Sequence, residues 1–279
     1  MRRKRTIALS LSLFFILGCG YSGAHAQAKS STLSIGTDRR SFPIKRDYRI
    51  GALIYHGAAT AFGDVESISE ILDAQGITHQ DVTSEELNQM TVEELTQFGM
   101  IVWPGGYAGQ MSASLYPATR DRVRRAVRER GVNFVGICAG AFIAVSPAAP
   151  SSAEGPEWGL SIIDAETLPY YHLEGEGLEY SLVDLEISSG IRIGVVWWGG
   201  PTLPEVSHGV LARYLDNHEP AVIQTQAGFG WVFLAGPHPE APHSLRVKLG
   251  LRSSDGLDHE FAGQIFRAAL GQEIMTPVE

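Results

Sequence analysis

The sequence predicts an α/β protein with a mostly parallel β-sheet, helices on both faces and an inserted β-rich segment. From residue 48 onward, short β-rich runs alternate with helical patterns, which is typical of a parallel sheet. Between about residues 180 and 235 the runs follow one another without helices, which favours antiparallel strands. The chain has 279 residues, 44% hydrophobic and 19% charged, so it can bury a large core, and disordered or collagen-like proteins are excluded. No internal repeat is present, and we expect a single domain over 48–279.

The elements are predicted from hydrophobic pattern and from stop signals. Asp64 is a candidate N-cap of the first helix, and Gly76 ends that helix. Val123, Ala126 and Val127 form an apolar stripe on a later helix. In chain order, we expect a strand at 49–55, a helix at 64–74, a strand at 78–82, an acidic helical stretch, a strand at 100–103, a helix at 118–130, a strand at 132–137, a helix at 139–145, strands at 180–187 and 192–198, a hairpin of strands at 221–226 and 230–234, and a helix at 258–270.

Residues 1–26 have the organisation of an export signal. Four basic residues, at positions 2–5, precede an apolar run at 6–18 that is too short to span a bilayer. Two cleavage sites compete. Residues 16–19 resemble a bacterial lipobox, in which Cys19 is acylated and anchors the protein to a membrane, whereas residues 24–26 form an Ala-x-Ala site. The lipobox is favoured because it directly follows the apolar run. We therefore expect an exported protein of the bacterial cell envelope, with residues 27–47 as a flexible tether.

The charge balance excludes one class of partner. With 22 Lys and Arg against 31 Asp and Glu, the formal charge is −9, so the chain repels phosphate backbones and we expect no nucleic acid. Nine histidines are present, but neither a His-Glu-x-x-His motif nor paired Cys and His spacing occurs. We therefore expect no metal and no cofactor. A homo-oligomer remains possible, since no apolar stripe identifies an interface.

The strongest chemical signal is Gly136-Ile137-Cys138-Ala139-Gly140, where a predicted strand gives way to a helix. Glycines on both sides of a nucleophile allow a strained turn, and a sulfur at a helix N-terminus is stabilised as thiolate. With Cys19 acylated or removed, Cys138 is the one free thiol. The alternative is a small buried cysteine of the core.

Two further segments supply the other groups that a thiol nucleophile requires. His238 and Glu240 follow a predicted strand, so the imidazole can accept the thiol proton while the carboxylate fixes its tautomer. Gly105-Gly106 follows another strand, and the amides of Gly106 and Ala139 are candidates for an oxyanion hole. For Gly105-Gly106 the alternative of a plain turn is favoured. Tyr170, Tyr171 and His172 either line a cleft or pack.

Taken in order, these segments resemble the class I glutamine amidotransferase-like superfamily. More narrowly, residues 138–141 and 236–240 are similar to the N-terminal domain of fungal biotin–protein ligases, which also occurs as a stand-alone bacterial protein. The resemblance covers about residues 49–270. It implies a flavodoxin-like three-layer sandwich with Cys138 as nucleophile, His238 as base and Glu240 as orienting carboxylate.

The sequence leaves two functional hypotheses open. The first is a cysteine-dependent amidohydrolase that cleaves a small-molecule or peptide amide through a thioester at Cys138. The second is a non-catalytic binding domain that retains the nucleophile turn as a relic. Ala141, Phe142 and Ile143 follow the turn, and these apolar residues offer no evident group for substrate recognition.

Overall fold

The structure is a computed structural model that describes residues 46–145, 159–164, 167–188, 190–251, 257–271 and 275–278. All of the described residues belong to one compact unit, Thr32–Glu279. The other unit, Met1–Ser31, contains none of the described residues. The predicted signal and lipidation site at Cys19 therefore also lie outside the described residues. Arg46 and Asp47, the end of the predicted tether, lie inside, and Arg46 donates hydrogen bonds to the carbonyls of Thr96 and Phe98. No helix in the described part is long and apolar enough to cross a membrane.

Apart from β7, which was not predicted, the strands begin and end close to the predicted positions. They are β1 (Ile50–Tyr55), β2 (His79–Val82), β3 (Phe98–Trp103), β4 (Asn133–Ile137), β5 (Ser181–Ser188), β6 (Ile191–Trp197), β7 (Val210–Tyr214), β8 (Pro220–Ala227) and β9 (Gly230–Ala235). The helices are α1 (Asp64–Ala74), α2 (Ser84–Gln89), α3 (Val92–Leu95), α4 (Ala108–Ala113), α5 (Pro117–Arg128), α6 (Ala139–Val145), α7 (His172–Gly175), α8 (His243–Leu249) and α9 (Leu257–Ala269).

All of these strands form one sheet in the order β2-β1-β3-β4-β9-β8-β7-β5-β6. Following this order across the sheet, the neighbours among β2, β1, β3, β4 and β9 pair in parallel. The neighbours among β9, β8, β7, β5 and β6 pair antiparallel. The protein is α/β as predicted, but a mostly parallel, flavodoxin-like sheet is not supported, because half of the pairings are antiparallel. The cause is the connections: β5 to β9 follow one another without an intervening long helix in the described part, and direct connections favour antiparallel strands.

The sheet is covered on both faces by separate apolar clusters. One cluster packs α1 and α9 against one face, with Ile68, Leu72, Phe261 and Phe266 among its buried residues. The other packs α5 and α6 against the opposite face. Every residue of β3 and β4 is buried, as expected for central strands with helices on both sides. This burial fixes the carboxyl ends of β3, β4 and β9, from which the candidate site is built.

The start of α1 differs from the sequence prediction. The N-cap is Gly63, in a left-handed conformation with φ 84°, and Asp64 is the first helical residue. Asp64 is fully buried, and its side chain makes no capping hydrogen bond. The carboxyl group of Asp64 therefore faces the protein interior rather than the amides of its own helix.

Candidate active site

Cys138 lies in the turn between β4 and α6, at the carboxyl edge of the parallel strands. Its φ is +50°, a left-handed conformation that residues with a side chain adopt at a cost. Its amide donates to the carbonyl of Ala235, at 2.8 Å, which ties the turn to the end of β9. The turn is therefore held in its strained form by the neighbouring strand.

The glycines on either side of Cys138 are required by close backbone contacts. A Cβ on Gly136 would lie 2.6 Å from the carbonyl oxygen of Gly140, and a Cβ on Gly140 would lie 2.1 Å from that of Trp103. Both distances are far below van der Waals contact. The predicted reason for the glycines, passage of neighbouring backbone without a clash, agrees with this geometry.

His238 and Glu240 lie in the loop that follows β9. Nδ1 of His238 is 3.0 Å from Oε1 of Glu240, and the two side chains are 3% and 0% exposed. The backbone of the loop is fixed on two sides: the His238 amide donates to Val196 in β6, at 2.7 Å, and Ser67 in α1 donates to the Glu240 carbonyl, at 2.5 Å. The structure thus brings together a histidine and the carboxylate that selects its tautomer.

Cys138 is the third member of this group. Burial alone would lower the pKa of His238, but the charges of Cys138 and Glu240, with hydrogen bonds to Asp64 and Cys138, raise it well above its usual value. Nδ1 faces Glu240, so Nε2 is the ring nitrogen left for the thiol, and Nε2 has no hydrogen-bond partner of good geometry among the described residues. Cys138 and Glu240 therefore both act on the imidazole of His238, while their roles as nucleophile, base and orienting carboxylate remain a prediction.

Asp64 is a fourth buried group that the sequence did not place in the site. Its Oδ2 lies 3.5 Å from Nδ1 of His238. Burial raises the pKa of Glu240; the contact with His238 lowers it, and the charge of Asp64 raises it again. Donor atoms of Asp64, His238 and Glu240 all lie within 4.8 Å of one another, so this is the set that could hold a divalent metal ion.

The thiol of Cys138 is buried and contacts the backbone of Trp198. The thiol donates to the carbonyl of Trp198, at 3.4 Å, and Cys138 is only 4% exposed. Trp198 and Tyr170 are 39% and 58% exposed, and the charge of Cys138 contributes to a raised pKa of Tyr170, after burial and Glu174. Cys138 therefore contacts the backbone of one exposed aromatic residue, Trp198, and lies near another, Tyr170.

The aromatic residues of segment 170–172 take different positions. Tyr171 is buried and stacks on Tyr214, with ring centroids 3.8 Å apart, so it packs. His172 lies on the surface and contacts Asp216 and Glu176. Tyr171 belongs to the same buried apolar cluster as Cys138, and Tyr170 lies close enough to feel the charge of Cys138.

The predicted oxyanion groups lie in two places. Ala139 is the first residue of α6, directly after the nucleophile. Gly106 packs against the loop before α1, where a Cβ would lie 2.1 Å from the carbonyl oxygen of Ala59. Its neighbour Gly105 is the glycine that contacts His238, because a Cβ there would lie 2.2 Å from Cε1. The amides of Gly106 and Ala139 as oxyanion donors remain a prediction.

Comparisons with known proteins give structural matches only. No family model matches the chain, and no curated protein matches it. A ThuA-like protein from Bacteroides uniformis is 12% identical, with 90% of this chain and 95% of that protein covered and a TM-score of 0.44. A β-galactosidase from the Antarctic haloarchaeon Halorubrum lacusprofundi is 12% identical, with coverages of 81% and 31% and a TM-score of 0.48.

A third match is an exo-β-1,4-mannosidase from Opitutaceae bacterium strain TAV5, at 10% identity, with 79% of this chain and 36% of that protein covered and a TM-score of 0.42. The chain spans about a third of the length of the mannosidase and of the β-galactosidase. With TM-scores below 0.5, these likenesses carry no argument about activity.

These comparisons correct the family prediction. The motifs at 136–140 and 236–240 indicated the class I glutamine amidotransferase-like superfamily and the biotin–protein ligase N-terminal domain. That assignment is wrong: no family model matches, and the matched structures are a ThuA-like protein, a mannosidase and a β-galactosidase. The reason is that cysteine chemistry itself demands a nucleophile turn and a His-carboxylate pair, which recur on unrelated folds.

Proposed function

We propose that the protein is a cysteine-dependent amidohydrolase that cleaves a small-molecule or peptide amide through a thioester at Cys138. The observation that carries the proposal is the linked set of Cys138, His238 and Glu240 at the carboxyl ends of β4 and β9. Cys138 has a left-handed backbone, His238 interacts with it and has a raised pKa, and Glu240 binds Nδ1 at 3.0 Å. A buried cysteine of purely structural role needs none of these three features.

The reaction proceeds in two halves. The thiol proton moves to Nε2 of His238, and the sulfur attacks the amide carbonyl carbon, forming a C–S bond. The C–N bond then breaks, and the leaving amine takes the proton from Nε2, which leaves a thioester at Cys138. In the second half, water gives a proton to Nε2 and attacks the thioester, the C–S bond breaks, the carboxylic acid is released and the thiol is restored.

The surroundings of Cys138 and the N-terminal sequence supply the context of the proposal. Tyr170 and Trp198 are exposed and lie near Cys138, so in this proposal they are the aromatic residues that contact the acyl part of the amide. In this proposal, the predicted export signal directs the hydrolase to the bacterial cell envelope. Acylation of Cys19, the favoured processing, then anchors it to the membrane through a lipid. Its substrate is then an envelope or extracellular amide.

The alternative, a binding domain with a relic nucleophile turn, is favoured by one observation. Cys138 is only 4% exposed, and its thiol donates to the Trp198 carbonyl, so substrate must displace this contact to reach the sulfur. In the alternative, the contact is permanent and the thiol does not react.

Alkylation with iodoacetamide distinguishes the two functions. The rate at Cys138 is measured between pH 5 and 9 in the mature wild type, in His238→Ala and in the control His259→Ala, whose imidazole contacts the Ala241 carbonyl instead. For a hydrolase, we expect rapid reaction at pH 6 that falls at least about tenfold in His238→Ala and is unchanged in the control. Slow labelling that does not depend on His238 and begins only near pH 8.5 would refute the hydrolase.

A further inference from the structure

Asp64 is a buried acid whose position has no explanation within its own helix. Acids in a first helical turn are normally exposed and stabilised by the free amides and the helix dipole. Asp64 is fully buried, and neither of its carboxylate oxygens has a hydrogen-bond partner of good geometry in the described residues. Burying a carboxylate in this way is costly unless a positive charge lies beside it.

The group beside Asp64 is the imidazole of His238. Oδ2 of Asp64 is 3.5 Å from Nδ1, the nitrogen that also contacts Glu240. Gly105 provides the space in which they meet, because a Cβ there would lie 2.8 Å from Oδ2 of Asp64 and 2.2 Å from Cε1 of His238. Two buried carboxylates therefore converge on one N–H group.

We propose that Asp64 is a positioning residue that acts with Glu240 as a second carboxylate acceptor for Nδ1–H of His238. This inference rests on the proposed function, since it assigns Asp64 a role through the catalytic imidazole. Glu240, at 3.0 Å, fixes the plane and tautomer of the ring, while Asp64 adds negative charge on the same side. Oε2 of Glu240 has no hydrogen-bond partner among the described residues, so Glu240 meets the ring through Oε1 alone and Asp64 supplies the second carboxylate.

If Asp64 and Glu240 share the task of holding the His238 imidazolium, each should partly replace the other when one is removed. Glu240→Gln leaves Asp64 to stabilise the imidazolium, so reactivity of Cys138 falls but still depends on His238. Asp64→Asn leaves Glu240 to orient the ring but removes a charge, so His238 loses its proton at lower pH. Only the double variant removes both carboxylates.

The test is the pH profile of iodoacetamide alkylation between pH 5 and 9 in Asp64→Asn, Glu240→Gln and the double variant. Both substitutions keep the shape of the side chain. The control is Asp73→Asn, also in α1 but with a side chain 77% exposed. We expect each single variant to lower the rate at pH 6 by about three- to tenfold and the double variant to match His238→Ala. If Asp64→Asn does not fold, Asp64→Ser gives the same neutral change with a smaller side chain that suits a helix start.

The outcomes separate this inference from the proposed function. If wild type reacts rapidly at pH 6 and His238→Ala does not, but Asp64→Asn has the profile of wild type, the role of Asp64 is refuted and the hydrolase stands. If wild type itself is unreactive at pH 6, the proposed function fails. If the purified wild type carries about one divalent metal ion per chain that Asp64→Asn lacks, the cluster is a metal site and the positioning role is refuted.

Discussion

Gly140 is the residue of the nucleophile turn with the least space around its α-carbon. We expect Gly140→Ala to destabilise the protein by about 1–3 kcal/mol, because its Cβ would lie 2.1 Å from the Trp103 carbonyl oxygen and the backbone would have to shift. Urea unfolding measures this change. The control is Gly175→Ala, whose Cβ meets nothing within 4 Å and which should be neutral. Equal stability of both variants would show that the turn is not held by this contact.

His172 is a surface histidine whose contribution to stability depends on pH. Its pKa is raised, chiefly by the hydrogen bond to Asp216 and also by Glu176, against a smaller effect of burial. A raised pKa means that the folded state binds the proton more tightly, so the stabilisation is complete below about pH 6.5, the ordinary histidine pKa, and is lost as pH rises through the folded-state value.

We therefore expect His172→Gln to lose about 0.5 kcal/mol near pH 5.5 and almost nothing near pH 9, because a side chain that is 40% exposed is screened by solvent. Thermal unfolding of both proteins across this range measures the difference. A difference that grows toward pH 9 would contradict the assigned ion pairs.

Helix α1 anchors the loop that carries His238 and Glu240. Ser67 lies on its buried face, is 2% exposed and donates to the Glu240 carbonyl. We expect Ser67→Ala to cost about 1 kcal/mol in the free energy of unfolding, since a buried acceptor loses its donor, and to slow alkylation of Cys138 because the loop is less well held. Ser207→Ala, at an exposed position, is the control. An unchanged alkylation rate would mean that the loop keeps its position without α1.

At the level of elements, much of the fold could be predicted from the sequence. The helices 64–74 and 139–145 occur as predicted, because each has a clear apolar pattern and a marked beginning or end. β7 was missed, as were the short helices α4, α7 and α8, because none of them has an apolar run as continuous as that of α6. The antiparallel direction expected between residues 180 and 235 occurs, but four of the eight strand pairings are antiparallel, so the sheet is not mostly parallel. The share of each direction depends on how the connections place the strands in the sheet, which a local pattern does not contain.

The site was only partly predictable for a related reason. Cys138, His238 and Glu240 belong to short motifs that can be recognised in the sequence. A nucleophile turn requires glycines beside Cys138, and a catalytic histidine requires a nearby carboxylate, here two residues further on. Asp64 is an acid at a helix start, where capping already explains it, and only the fold shows that its side chain turns inward. Gly105, rather than Gly106, contacts His238, because the exact path of a loop after a strand is set by tertiary packing.

The described strands form a single sheet, with parallel pairs in one half and antiparallel pairs in the other. β4 and β9 are neighbouring strands in the middle of the sheet, with helices on both faces, whereas β2 and β6 are the edges. We expect amide hydrogen exchange to be slowest in β4 and β9 and fastest in β2 and at the β5–β6 end. If β5 to β8 instead exchanged together and much faster than β4, the antiparallel half would open independently, and the His238 loop would lose its contact with Val196.

The proposed hydrolase depends on His238 taking the proton of Cys138, so that an imidazolium lies beside the sulfur. ¹⁵N NMR of histidine-labelled protein at pH 7.5 tests it most directly, because both ring nitrogens of an imidazolium carry protons. We expect His238 to be doubly protonated in wild type and neutral in Cys138→Ala, and His259 to be the same in both. A neutral His238 in wild type at pH 7.5, unchanged by removal of the thiol, would contradict the pair and with it the hydrolase.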